Sequence, residues 1–362
     1  MSPSNASNDP GTFGERAETA EKTVCRRYVR RLWALPGTRM GVSRMPSTSR
    51  QRLFLRWDYW WQAHLLDCLV DAQLRAPAPS RRTLVVKLVR GSLIRNGFTR
   101  TNNYYDDMAW WGLALQRANQ VFGLSADVGP ILRACEAAIG PEGVVPWRRG
   151  DNFFNTPANG PVAIMLARDG QIPRASRMNE WLRANLLLDD GLLADGRVGT
   201  PSDGRLVTDR WTYTQGVGMA AELVAGDENS PHRIAGLVDA VFTQLARDEV
   251  LHGAGGGDGG LFAGILARYL ALVAVDLDGD GPDIARTRRR AAGLVRTSAE
   301  AAWRNADHTS GTLVFGPDWS QPAGELRAAP GPVEDLSVQL SGWMVLEAAA
   351  MLDSRSVPWE RL

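Results

Sequence analysis

Two adjacent carboxyls, Asp106 and Asp107, sit inside the run Tyr104-Tyr105-Asp106-Asp107-Met108-Ala109-Trp110-Trp111. Aspartates at a helix start commonly do no more than cap backbone N–H groups and answer the positive end of the helix dipole. Aromatic company changes that reading. Flat aromatic faces stack on the C–H surfaces of sugar rings, and Asn or Gln amides bridge hydroxyls. Acid–base cleavage of a glycosidic acetal needs one protonated carboxyl for the leaving oxygen and one ionised partner beside the anomeric carbon. Burial among aromatics raises one carboxyl's affinity for its proton, and the neighbouring charge adds to that effect, so the roles divide without a metal. The pair is a candidate for hydrolysing a carbohydrate, with no cofactor expected.

The elements that must position this pair are helices. Apolar periodicity between Gly, Pro, Asn and Asp clusters gives twelve helical segments, near 18–34, 55–74, 81–95, 105–122, 128–139, 157–167, 174–188, 209–224, 231–247, 259–273, 283–304 and 334–352. Aromatic, amide and glycine clusters fall at the start of every second segment: RWDYWW, YYDDMAWW, FFNTPANG, DRWTYTQG, GDGGLFAG and EDLSVQL. If consecutive helices are antiparallel, these starts share one end of the molecule and line a common mouth. An all-α toroid of six helix hairpins has this arithmetic, while an irregular α-solenoid stays open because no repeat is visible in the sequence. Asp195-Gly196 reads as the two-residue turn of a short β-hairpin at the rim. Residues 1–16, rich in Ser, Asn, Pro and Gly at their start, are expected to be a disordered tail before one domain over 17–362.

The motifs YYDDMAWWGLAL, NTPANGPVAIMLAR, WTYTQG, GGLFAGILARYL and DLSVQ resemble, in order, those of glycoside hydrolase family 76, the endo-α-1,6-mannanases. The resemblance runs from about Trp57 to Leu352. It implies an (α/α)6 barrel and retaining hydrolysis of α-1,6-linked mannose without a cofactor, with Asp106 as nucleophile and Asp107 as general acid/base. Asn155, Asn159, the stretch from Thr212 through Tyr213 to Gln215, Asp258 and Phe262 match stretches that line the family's groove, and Trp57, Trp60, Tyr105, Trp110 and Trp211 join them as aromatic candidates for binding an α-mannoside oligosaccharide. The chain departs from the family's pattern at Thr214 and Ala263.

Composition narrows the alternatives. With 41 basic and 40 acidic residues the net charge is +1, which gives no overall field favouring nucleic acid. Three widely spaced cysteines, Cys25, Cys68 and Cys135, argue for a reducing compartment. With no apolar h-region near the start and no uncharged apolar run of about 18 residues, a cytoplasmic monomer without a membrane span is expected. Asp276, Asp278 and Asp280 open like a calcium loop, but Thr287 stands where its closing Glu belongs. His64 and Cys68 have helical spacing and read as core. Two other functions remain: a catalytically silent carbohydrate-binding barrel, and a metal-dependent all-α lyase or cyclase. The second normally clusters three or more carboxylates, and Met108, Ala109, Trp110 and Trp111 supply none after the pair.

Overall fold

The computed structural model describes residues 11–328 and 334–357. Its helices are α1 (Phe13–Tyr28), α2 (Ser49–Arg52), α3 (Tyr59–Arg75), α4 (Pro79–Arg95), α5 (Tyr105–Phe122), α6 (Gly129–Glu136), α7 (Thr156–Arg168), α8 (Ile172–Leu186), α9 (Thr212–Ala225), α10 (Ser230–Gln244), α11 (Phe262–Asp276), α12 (Pro282–Arg304), α13 (Ala323–Ala328) and α14 (Leu336–Ser354). Each of the helices α3, α5, α7, α9 and α11 packs on the next in that series, α11 packs on α14, and α14 packs back on α3. The ring is closed. Outside it, α4 returns along α3, α6 along α5, α8 along α7, α10 along α9 and α12 along α11, while α1 covers α14. This is an (α/α)6 barrel, and the solenoid alternative is set aside by the contact between α14 and α3.

Sequence explains which helices go inside. Thr156 to Ala167 of α7 are buried at every position, as a helix surrounded on all sides must be. In the first turns of α12 the buried residues Ile284, Thr287 and Ala291 recur at helical spacing, while Arg286 and Arg289 between them are exposed. Close approach of inner helices needs glycine: a Cβ on Gly264 would lie 2.6 Å from Ser341 Cα, and one on Gly216 would lie 3.1 Å from Leu266 Cα. Among the described residues, Gly257–Asp276 is long and apolar enough to cross a bilayer; it contains α11, which is buried by α9, α12 and α14.

Inside the ring, Asp67 and Asp71 stand one turn apart on α3. They receive Arg117 from α5 and Arg268 from α11, with Arg268 Nη2 donating to Asp71 at 2.6 Å. Burial alone would push Asp67 up, but the Arg117 and Arg268 guanidiniums overcome this and hold it at about 2. Three inner helices are thereby cross-linked by charge.

Several expectations are corrected. Of the tail expected over 1–16, residues 1–10 lie outside the described residues and residues 13–16 are helical: α1 begins at Phe13 because Thr12 and Glu15 form a reciprocal capping box. The segment expected to run to 34 stops at Tyr28, where β1 (Val29–Arg30) pairs with β2 (Met40–Gly41). The one expected to run to 247 stops at Gln244, before β6 (Ala246–Arg247) pairs with β7 (Val250–Leu251). A rim sheet exists, but Asp195-Gly196 is not its turn. Gly196 begins β4 (Gly196–Val198), which lies between β3 (Phe153–Asn155) and β5 (Arg205–Val207). A Cβ there would sit 2.5 Å from the Phe154 carbonyl oxygen, so this glycine serves close strand approach.

Candidate active site

The inner helices are preceded by the N-cap residues Asp58, Tyr104, Asn155, Trp211, Leu261 and Asp335, all at one end of the barrel. A cleft of about 770 Å³ opens there. Asp106 and Asp107 both line it, on the first turn of α5. Of the other expected residues, Trp57, Trp60, Trp110, Asn155, Trp211, Tyr213, Asp258 and Phe262 line it too. Tyr213 stacks on Phe262 with centroids 4.1 Å apart, Trp211 meets Phe262 edge-on, and Trp60 lies 6.5 Å from Trp110, Tyr213 and Phe262. Asp258 is held by two indoles, since Trp60 and Trp61 both donate to its Oδ1 at 2.8 Å.

The two carboxyls have unequal partners. Asp106 accepts from the Asp107 backbone N–H at 2.8 Å through Oδ1 and from Trp147 Nε1–H at 2.8 Å through Oδ2. Asp107 accepts from the Asn102 amide at 2.8 Å. Burial raises both: Asp106 goes up to about 7 despite the Trp147 and backbone donors. Asp107 is raised well above the ordinary range by burial and then by the Asp106 charge, with Asn102 in partial opposition. Donors that favour an anion are therefore concentrated on Asp106, and the pair's retained proton belongs on Asp107. Beneath the aromatics, the His64 ring lies 4.8 Å from Trp110 and 5.3 Å from Trp60; burial and Arg268 lower it to about 3, so it is neutral.

Trp147, Asn102, Asp58 and Asp195 line the cleft and were missed from sequence. Trp147 comes from the loop before β3 and is seated by Tyr104 at 5.1 Å, while its carbonyl accepts from Tyr105 N–H at 2.9 Å. Nothing in VVPWRRG advertises that role. Asn102 was within reach of reasoning, because its Oδ1 caps Tyr104 N–H at 2.8 Å and leaves its amide facing the pair. Asp195, read as a turn residue, is pushed to about 6 by burial and Asp209.

Trp147→Phe removes the N–H that favours ionised Asp106. The acid limb of the pH–activity profile is then expected to move to higher pH, by roughly one unit if the lost hydrogen bond is of ordinary charge-assisted strength. An unmoved limb in a folded variant contradicts the role given to Trp147.

Three expected residues do not reach the cleft. Tyr105 is buried, with the Arg149 guanidinium 6.0 Å from its ring centre. Asn159 pairs with both backbone groups of Val145, each at 2.9 Å, and Gln215 with those of Leu193, at 2.7 and 2.9 Å. Their chemistry is structural: a primary amide carries one acceptor and a donor side by side, so it can pair with a buried peptide as a neighbouring strand would. Gln62 does the same for Gly41 and Gln339 for Phe315. All four are the fourth residue of an inner helix, α7, α9, α3 and α14. Gln215→Leu strands the buried N–H and C=O of Leu193, and a loss of about 3 kcal/mol in urea denaturation is expected. A loss near zero overturns this account. Of the two departures from the family's pattern, Thr214 donates to the Trp211 carbonyl at 2.7 Å, and Ala263 is buried.

The family model described as glycosyl hydrolase family 76 matches residues 143–360, a span that begins after α5. Among solved structures, the chain is similar to the GH76A alpha-1,6-mannanase from Salegentibacter sp. HEL1_6, at 25% identity and TM-score 0.79 over 94% of this chain and 99% of that one. The Lin0763 protein from Listeria innocua matches at 25% identity and TM-score 0.80, over 95% and 98% of the two chains. A variant of the Salegentibacter enzyme described as inactive, with two consecutive aspartates changed to asparagine, is solved with alpha-1,6-mannotriose; it matches at 24% identity and TM-score 0.79, over 94% and 99%. No curated protein matches.

Proposed function

Since the chain belongs to glycosyl hydrolase family 76, we propose that it cleaves α-1,6-mannosidic linkages with retention of configuration, Asp106 acting as nucleophile and Asp107 as general acid/base. The observation that carries this reading is the asymmetry of the pair within one aromatic-walled cleft: Asp106 receives two N–H donors, Asp107 one amide. Asp106, ionised, attacks the anomeric carbon while Asp107 gives its proton to the leaving oxygen. Asp107, now a base, takes a proton from water, which displaces Asp106 and restores the sugar with its original anomeric configuration. Adjacent residues can bring their carboxyls to the roughly 5–5.5 Å of a double displacement, whereas an inverting pair stands about 6.5–9.5 Å apart to admit water.

Support for the substrate class comes from the aromatic platform of Trp211, Tyr213 and Phe262 and from the Salegentibacter enzyme, whose doubly substituted variant was solved with an α-1,6-mannoside. Asp58, Asp195 and Asp258 add acceptors for sugar hydroxyls around the pair. The test is incubation with α-1,6-mannooligosaccharides, following product anomers by NMR from the first minutes. Initial release of the α-anomer is expected. Initial release of the β-anomer sinks the retaining mechanism, and tight binding without release leaves a carbohydrate-binding protein.

A further inference from the structure

The near-zero net charge conceals a segregation. Residues 22–57 and 72–105 hold seventeen of the 41 basic residues and none of the 40 acidic ones. These stretches lie against each other: Arg39 N–H donates to the Lys87 carbonyl of α4 at 2.9 Å, and Arg95 Nε donates to the Phe54 carbonyl at 2.5 Å. Between them is a small core of Leu32, Met40, Val42 and Phe54, separate from the barrel core. Large apolar side chains project outward from the turns around it. Trp33 is 45% exposed, Leu53 51%, Leu55 57% and Phe98 75%, and Trp33 Nε1 donates to the Leu53 carbonyl.

The backbone is bent to present them. Trp33, Phe54 and Phe98 have φ of 46°, 52° and 62°, a left-handed conformation that bulky L residues rarely adopt. Around these tips Arg30, Arg31, Arg50, Arg52 and Arg90 are exposed and form no ion pair among the described residues, whereas Arg27 and Arg44 are tied to Glu334 and Asp335. Apolar tips on three separate turns, ringed by unneutralised arginines, match a flat surface that is apolar within and anionic at its skin.

We propose that this face docks on the interface of an anionic phospholipid bilayer, Trp33, Leu53, Leu55 and Phe98 entering the headgroup region while the surrounding arginines meet lipid phosphates. Charge complementarity selects the occupant, because the two stretches that build the face hold no acidic residue and a zwitterionic surface would not repay their positive charge. Trp57 and Asn96, two residues from Leu55 and Phe98 respectively in the chain, line the cleft, so a docked molecule holds its mouth beside the membrane, within reach of glycans borne by lipids. The docking does not depend on the hydrolytic reading.

The experiment is co-sedimentation of the full chain with phosphatidylcholine vesicles, with and without phosphatidylglycerol, alongside Leu53→Ser/Leu55→Ser and Arg31→Glu/Arg50→Glu. Expected is binding to the anionic vesicles alone, weakened by salt and lowered about tenfold in each double variant. Both variants are expected to keep the wild-type melting temperature, since every altered side chain is exposed. Failure of the wild type to sediment overturns the proposal. So does a loss confined to the charge variant, which would mark general attraction to polyanions, and so does a wild-type dimer that the serine variant converts to monomer, which would mean a second copy covers the face.

Discussion

Asp106→Asn and Asp107→Asn are each expected to lower kcat roughly a thousandfold or more while leaving near-UV circular dichroism unchanged, because each side chain lines the cleft and an amide of the same shape neither attacks carbon nor shuttles a proton. The variants are expected to differ from each other. An aryl mannoside whose leaving group needs no proton restores the first step in Asp107→Asn, and external azide, replacing the lost base, releases a glycosyl azide. In Asp106→Asn no glycosyl-enzyme forms, so azide can only attack the anomeric carbon directly and give the inverted β-azide, against the retained α-azide expected from Asp107→Asn. With the proposed roles the working form of the wild type is the singly ionised pair, so activity is expected to fall at low pH as Asp106 gains a proton and at high pH as Asp107 loses its own. Since burial raises both, the bell-shaped profile lies well above the ordinary carboxylate range, with Asp106 about 7. Near-normal turnover in either variant refutes the role given to that residue, and identical responses to azide refute the division of roles.

Arg268→Met costs about 3–5 kcal/mol, since it leaves two aspartates on α3 facing one remaining guanidinium inside the barrel. Its signature lies in the pH dependence. Asp67 is held at about 2, below its ordinary value of 3.8, so its contribution is fully present above that ordinary value and is lost as pH falls toward the folded one. Urea denaturation of the wild type is expected to show stability declining from about pH 4 to pH 2. The variant, in which Asp67 is less depressed, shows a shallower decline. Replacing Asp67, Asp71, Arg117 and Arg268 together by apolar residues of similar volume is expected to recover much of the loss, as the desolvation cost disappears with the charges. A single-variant loss below about 1 kcal/mol counts against an interior location for the network.

The cleft was legible from sequence where chemistry and helix start coincide. The first turn of α5 carries Asp106 and Asp107, and Trp60, Trp211, Tyr213 and Phe262 stand near the starts of other inner helices, so a rule about parallel helices brings them together. Misreadings arose where a residue's type permitted two uses. Gln215 and Asn159 were read as sugar-binding amides, yet an amide pairs equally well with a buried peptide. Gly196 was read as a turn, yet glycine also serves close strand approach. Thr12 and Glu15 carried a capping signal that the polar composition of the preceding residues obscured.

Period and composition by themselves determined that the chain is helical and that aromatic, amide and glycine clusters open every second helix, because both signals are written within a turn or two of chain. Only the tertiary structure decided that α14 closes on α3, that Trp147 reaches Asp106 across 41 positions, and that the arginines of two distant segments share one face. The physical reason is range: helix periodicity is written within a few residues, whereas a hydrogen bond or a charged surface depends on where the packed barrel brings the chain back to itself.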